Sequence, residues 1–204
     1  MFSLLKKFLL SAAGLLATAS LLPAQQVQSI VNGRTALQLN SSFVQSITTV
    51  GANITDLNLV SLQNGQVTFP IASGSVDLNT VAGELQHKGG LVIQADGDMI
   101  ELLAWKLDIT GSQPTISALF VINGSIYGRY PLFVVQPPVN LALPLQPAGG
   151  VILIHQASLF LSQSGASTFN NLFGLSGDEQ LQANSAVGNI DVYAVLAANG
   201  AGTK

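Results

Sequence analysis

The chain has 204 residues, enough for one domain with its own core; 48% are hydrophobic, 8% are charged, and the formal net charge is −3. It holds no cysteine, which excludes disulfides, thiolate metal ligands, cysteine nucleophiles and a lipid-bearing cysteine. Beyond Lys6 and Lys7 its basic residues form no cluster, so neither nucleic acid nor anionic headgroups find the cations they require.

The chain opens on "MFSLLKK", a short basic start, followed by the apolar run "FLLSAAGLLATASLL" and the exit "PAQ". That order predicts a secretory signal peptide over residues 1–24, cleaved after Ala24, with Ala17-Thr18-Ala19 as a second site. An uncleaved anchor is the rival reading, although the apolar run is shorter than a typical membrane span. The mature domain, 25–204, is then exported: secreted, periplasmic or held at the cell surface, with no span after cleavage. Its cations are Arg34, Lys88, Lys106, Arg129 and Lys204, against ten acidic residues. Ser, Thr, Asn and Gln must wet its surface.

After a short lead-in, "TALQLN" alternates, and Asn40 or Ser41 is placed to cap a short helix whose Phe43 and Ile47 share a face. "DLNLVSL" sets Leu57 and Leu59 on one side of a strand. "GQVTFPI" does the same for Val67, Phe69 and Ile71, and Pro70 marks an edge strand or a strand end. Gly74 is expected to turn the chain and Gly89-Gly90 to turn it back. "MIELLAWKLDI" is the longest candidate strand, with Met99, Leu103, Trp105, Leu107 and Ile109 on one parity and Ile100, Leu102 and Ala104 on the other. "TISALFVI", "GSIYGRYPLFVV", "VILIHQASLFL" and "NIDVYAVLA" follow between Gly, Pro, Asn and Asp punctuation. Roughly eight to ten short strands predict a mainly β fold, an antiparallel sandwich or barrel with two short helices. The second helix lies in "LFLSQSGASTFNNLFG", with Ser164 as its cap, Ala166, Phe169 and Phe173 as its face and Gly174 as its stop. Its strand–cap–helix–glycine layout echoes residues 37–54, and two such helices would plug the ends of the sheet structure.

Chemistry is sparse. His87, before Gly89 and Gly90, reads either as a ligand at a loop mouth or as a strand-end residue bonded to a carbonyl. His155 shares parity with Val151, Leu153, Ala157 and Leu159, which places it on an apolar face as a core histidine or a pocket ligand. Asp96 and Asp98 flank Gly97 as in a hairpin turn; the distal acids of a calcium loop are missing. Glu84 and Glu101 are candidates for a carboxylate pair, though nothing beyond arithmetic unites them. Beyond the leader no G-x-S-x-G, S-x-x-K, HExxH, P-loop or GxGxxG occurs. Tyr127 and Tyr130 flank Arg129, a combination suited to recognition or to lidding a core; Tyr193 lies in the last strand.

The segments "FPIASGSVD" (69–77) and "GELQHKGGL" (83–91), with "SLFLSQSGASTFNNLFG" and "VGNIDV" later, carry a resemblance spanning most of the mature chain. They resemble uncharacterised exported bacterial β-rich proteins with an FPI-x-x-G … H-x-GG-L layout, and are distantly similar to HtaA-like haem-transport-associated domains. The resemblance implies an exported β-rich module with a haem alternative, and matches His87 to the histidine-glycine stretch of such domains. Their tyrosine iron ligand has no counterpart here, because residues 25 to 66 hold neither Tyr nor Trp.

The sequence therefore predicts an exported, non-catalytic binding or structural module of the envelope or extracellular space, with no metal and no resident cofactor. The alternatives are capture of haem or a small hydrophobe near His87, and a hydrolase without a motif. Candidate ligand-binding residues are His87, Gly89, Gly90, Tyr127, Arg129 and Tyr130. The ligand or envelope partner and the oligomeric state stay open.

Overall fold

The structure, a computed structural model, describes residues 26–198 other than 50 and 96. The leader, Asp96 and Lys204 lie outside the described residues.

The strands are β1 (Val27–Leu39), β2 (Asn53–Leu57), β3 (Ser61–Gln63), β4 (Gln66–Asp77), β5 (Gly83–His87), β6 (Gly90–Ala95), β7 (Asp98–Asp108), β8 (Thr115–Ile122), β9 (Ser125–Gln136), β10 (Val151–Leu161) and β11 (Ala186–Leu196). Two helices, α1 (Ser41–Thr49) and α2 (Gln163–Leu172), follow β1 and β10. The neighbours run β7-β5-β4-β1-β11-β10-β9-β8, and β8 pairs back onto β7. All pairs are antiparallel, so the sheet closes into an eight-stranded barrel without an edge along that ring. The barrel alternative is the one the chain adopts. β6 continues along the edge of β7 that β5 occupies, β2 pairs with β6, and β3 adds to β4.

β1 and β10 both flank β11 and therefore run in the same direction. Consequently α1 and α2 leave the barrel at one end rather than at two. They meet there: Phe43 and Phe169 lie 6.5 Å apart, and Phe43 also contacts Phe133 at 6.2 Å. Phe43 and Ile47 are buried as their spacing requires. The cap of α2 is Ser162, not Ser164: its Oγ accepts the Gly165 N–H at 2.7 Å and donates to Pro131 O at 2.6 Å. Two serines of the same short run offer the same chemistry, and the contact with β9 decides between them.

Three other sequence expectations fail for one physical reason each. Pro70 sits inside β4 between two partner strands. Its carbonyl accepts from Lys88 on the side where β5 ends, so no amide donor is needed there. Gly74 does not turn the chain; its missing side chain lets β4 approach the Glu84 carbonyl of β5. The turn lies at 78–82, where buried Asp77 accepts the amides of Asn79 at 2.7 Å and Thr80 at 3.3 Å. β7 does not keep one parity. Ile100, Leu102, Trp105 and Leu107 are buried, while Met99 and Ala104 are exposed. Between Leu103 and Lys106 β7 carries one residue more than β8, and Ala104 takes φ 47°. That bulge switches the inward-facing set from even to odd positions.

Candidate functional site

β5 and β6 do not form a hairpin. Both lie antiparallel on the same edge of β7, with Gln86 opposite Lys106 and Gly90 opposite Leu103. The connector His87-Lys88-Gly89 thus steps along the barrel wall, facing the Ala104–Trp105 bulge. Gly89 has φ +75°, and a Cβ there would come within 2.7 Å of Val60 Cγ2; one on Gly90 would strike the Leu102 carbonyl. The two glycines are required by close approach and not by reversal of the chain. Step and bulge together open a seam in the wall.

His87 fills the seam from inside and is 8% exposed. Its Nδ1 lies 3.1 Å from Trp105 O, and its Nε2 lies 2.8 Å from Thr35 Oγ1. A carbonyl only accepts, so Nδ1–H donates to it; Nε2 then accepts the Thr35 hydroxyl proton. Burial pushes the imidazole pKa down to about 4, against the opposing pull of the Trp105 carbonyl. The ring is therefore a neutral crosslink between β5, β7 and β1. Phe69 packs against Trp105 at 4.8 Å and against His87 at 6.2 Å, and Trp105 Nε1 donates to Leu102 O across the bulge.

Outside the seam is a recess of about 270 Å³ lined by Glu84, Gln86, His87, Ala104, Trp105, Lys106 and Arg129. Lys106 Nζ is 2.9 Å from Glu84 Oε2 and 3.1 Å from Asp108 Oδ2. Its hydrogen bond to Glu84 raises the ammonium pKa and lowers that of the carboxylate. Asp108 is held down to about 2, first by the Thr110 hydroxyl and amide and then by Lys106. Arg129 reaches Ser117 Oγ at 3.3 Å.

The structure thus brings His87, Gly89, Gly90 and Arg129 to one seam and its recess. Tyr127 and Tyr130 do not line the recess. Tyr127 is exposed near the start of β9, and Tyr130 packs edge-on against Phe120 at 5.4 Å. Tyr193 stacks under Arg34, 5.3 Å from the guanidinium carbon. His155 is exposed rather than core-facing. β10 has a bulge at Gln156, φ 56°, which releases His155 from the inward parity and leaves it 3.6 Å from Asp191. Glu84 and Glu101 stay apart: Glu101 is seven positions along β7 from Glu84's partner Asp108, about 20 Å at ~3.3 Å per residue. Asp98 accepts from Asn123 and ties two hairpins together. Among the described residues no group of three His, Cys, Asp or Glu is arranged to hold a metal. Thr35, Trp105 and Lys106 complete the site without having been singled out. For Thr35 a signal existed, its shared parity with Leu37 in "TALQL".

The fold and seam define a class: a closed antiparallel barrel, plugged at one end by two helices, with a neutral histidine locked into its wall. Known structures are similar to this chain in fold. The C-terminal domain of HtaA from Corynebacterium glutamicum is 20% identical, with a TM-score of 0.63 over 83% of this chain and 99% of that one. The N-terminal HtaA domain is 16% identical, with a TM-score of 0.59 over the same shares. The haem-binding protein HtaB of the same organism is 10% identical, with a TM-score of 0.54 over 84% of this chain and 95% of HtaB. The chain is thus distantly HtaA-like in fold. No protein-family model matches it, and no curated protein matches it in sequence.

Proposed function

We propose that this chain is an exported, non-catalytic binding module whose ligand is hydrophobic. The observation that carries the reading is the shared fold: the chain follows the HtaA domains over most of its length, and one further neighbour is a haem-binding protein. The recess chemistry points the same way. Lys106 is neutralised between two carboxylates, and among the described residues the one hydroxyl–imidazole pair, Thr35 with His87, is buried in the wall with both ring nitrogens engaged. A hydrolase would need such a pair open to its substrate. The basic-then-apolar leader supports export; N-terminal sequencing of the protein from envelope or medium should begin at Gln25. Recovery of intact Met1 in the cytoplasm would overturn that part.

Haem capture at the seam is the second reading, favoured by the likeness to HtaB. For His87 to reach iron through Nε2, the 2.8 Å bond from Thr35 must break. Haemin titrated into the mature chain tests it: a Soret shift that disappears in His87→Ala supports capture at this histidine. An unshifted band removes haem and leaves a module for another apolar ligand.

A further inference from the structure

The barrel holds a second, unassigned space at the end away from the helices. There the side chains of Ile30, Val76, Leu85, Leu107, Ile152 and Val192 surround a cavity of about 50 Å³. Among the described residues no aromatic ring lines it, and Ser75 is the one with a polar side chain around it. A strap, residues 137–150, crosses this end between β9 and β10. Leu145 N of the strap donates to Leu78 O, but residues 137–141 carry only their own turn bond, Leu141 N to Pro138 O. Outside lies an open crevice of about 570 Å³ lined by Gln136, Asn140, His155, Gln156 and Ser158 together with apolar Val139 and Leu153. Pro137, Leu141 and Ile154 border both spaces and form the partition between them. Of the residues lining the crevice, Val139 is 102% exposed and Leu153 is exposed as well. Exposed apolar side chains around one mouth mark a place where something apolar is received.

We infer that this end binds a single straight hydrocarbon chain carrying a neutral polar head, the tail entering past Leu141 and Ile154 and the head resting in the crevice. The inference rests on the reading of the chain as a binding module and names a ligand class at a site other than the seam. An aliphatic lining offers no partner to a buried polar group, which excludes polar matter from the interior. Without rings it offers no stacking platform for a flat macrocycle, and its narrow volume suits methylenes in file. Among the described residues no Lys or Arg lines the crevice, and Asp191 lies 3.6 Å from His155, which does. A carboxylate head would meet a like charge, whereas a hydroxyl finds amide and hydroxyl partners.

Straight-chain alcohols from ethanol to octanol, titrated by calorimetry into the mature protein, test this directly. Affinity should rise about fourfold per methylene over the first members and then level off once the tail fills the small cavity. Butanol should shift the methyl resonances of Ile30, Leu85 and Ile152 and spare those around Phe43 and Phe69. Ala194→Phe, which places a ring in the lining, should weaken butanol at least tenfold; the methyl map on the unaltered protein decides the matter if that variant does not fold. Affinity independent of chain length, or undiminished binding by folded Ala194→Phe, would overturn the site. Shifts confined to the His87 seam would also overturn it while leaving the module reading in place.

Discussion

The two ends of the barrel are built from different materials. At the helical end Phe43, Phe69, Trp105, Phe120, Phe133 and Phe169 form a chain of ring contacts, and the His87–Thr35 bond lies against it. At the strap end the interior is aliphatic; each end keeps a small void, about 50 Å³ there and about 40 Å³ among the rings. One closed ladder supports both. Strand pairing therefore sets the shape, and the side chains decide what chemistry each void presents. The helices explain the asymmetry. They bring Phe43 and Phe169 into the first end, whereas the strap lays Pro137 and Leu141 over the second.

Removing a ring should have the largest effect. Phe69→Ala takes away the side chain that touches both Trp105 and His87, and should cost about 4 kcal/mol in denaturant unfolding. Leu85→Ala at the strap end should cost nearer 2 kcal/mol, since it removes fewer buried carbons and no ring contact. Equal losses would mean that the ring contacts add nothing to aliphatic burial. Next comes pH. His87 titrates at about 4 in the folded chain against 6.5 ordinarily, because burial penalises the imidazolium. As pH falls through 6.5 the unfolded chain takes the proton first, so stability is full above that value and declines until about pH 4. At ~1.4 kcal/mol per pH unit the loss is about 3 kcal/mol. Asp108 contributes only below its ordinary 3.8, outside this window. Urea midpoints between pH 7 and 4 should fall steeply in the unaltered protein and much less in His87→Gln; a matching fall in both would show that the seam is not the source.

Much of this architecture was legible in period-two alternation, glycine and proline punctuation and two capped Phe-bearing helices. What escaped was set by contacts distant in sequence. Ala104 and Gln156 take positive φ inside strands although neither is glycine, and each reverses the inward parity of everything beyond it. That is why Met99 was expected inside with Trp105, and His155 inside with Leu159. The site was half legible. His87 and its glycines stand out as a motif, but its partner Thr35 is 52 positions away, and Lys106 and Arg129 meet the same recess only because β7 and β9 both pair with β8.

Smaller changes sharpen the contrast further. Thr35→Val keeps the shape but leaves the His87 Nε2 without a donor, and should cost about 1–2 kcal/mol. It should also free that nitrogen, so if haem is taken at the seam, Thr35→Val binds haemin more tightly than the parent. The finest test adds one or two carbons at each end. Val192→Ile points a methyl at the strap-end cavity and should be neutral or stabilise by about 0.5 kcal/mol. Ala118→Val, fully buried opposite Tyr130 and lining neither void, should cost about 1 kcal/mol. Thermal denaturation of the two variants reads the difference in sign. A stabilised Ala118→Val would place spare room beside Ala118, and a destabilised Val192→Ile would show that the strap-end void cannot take even one more carbon, leaving no space there for a hydrocarbon tail.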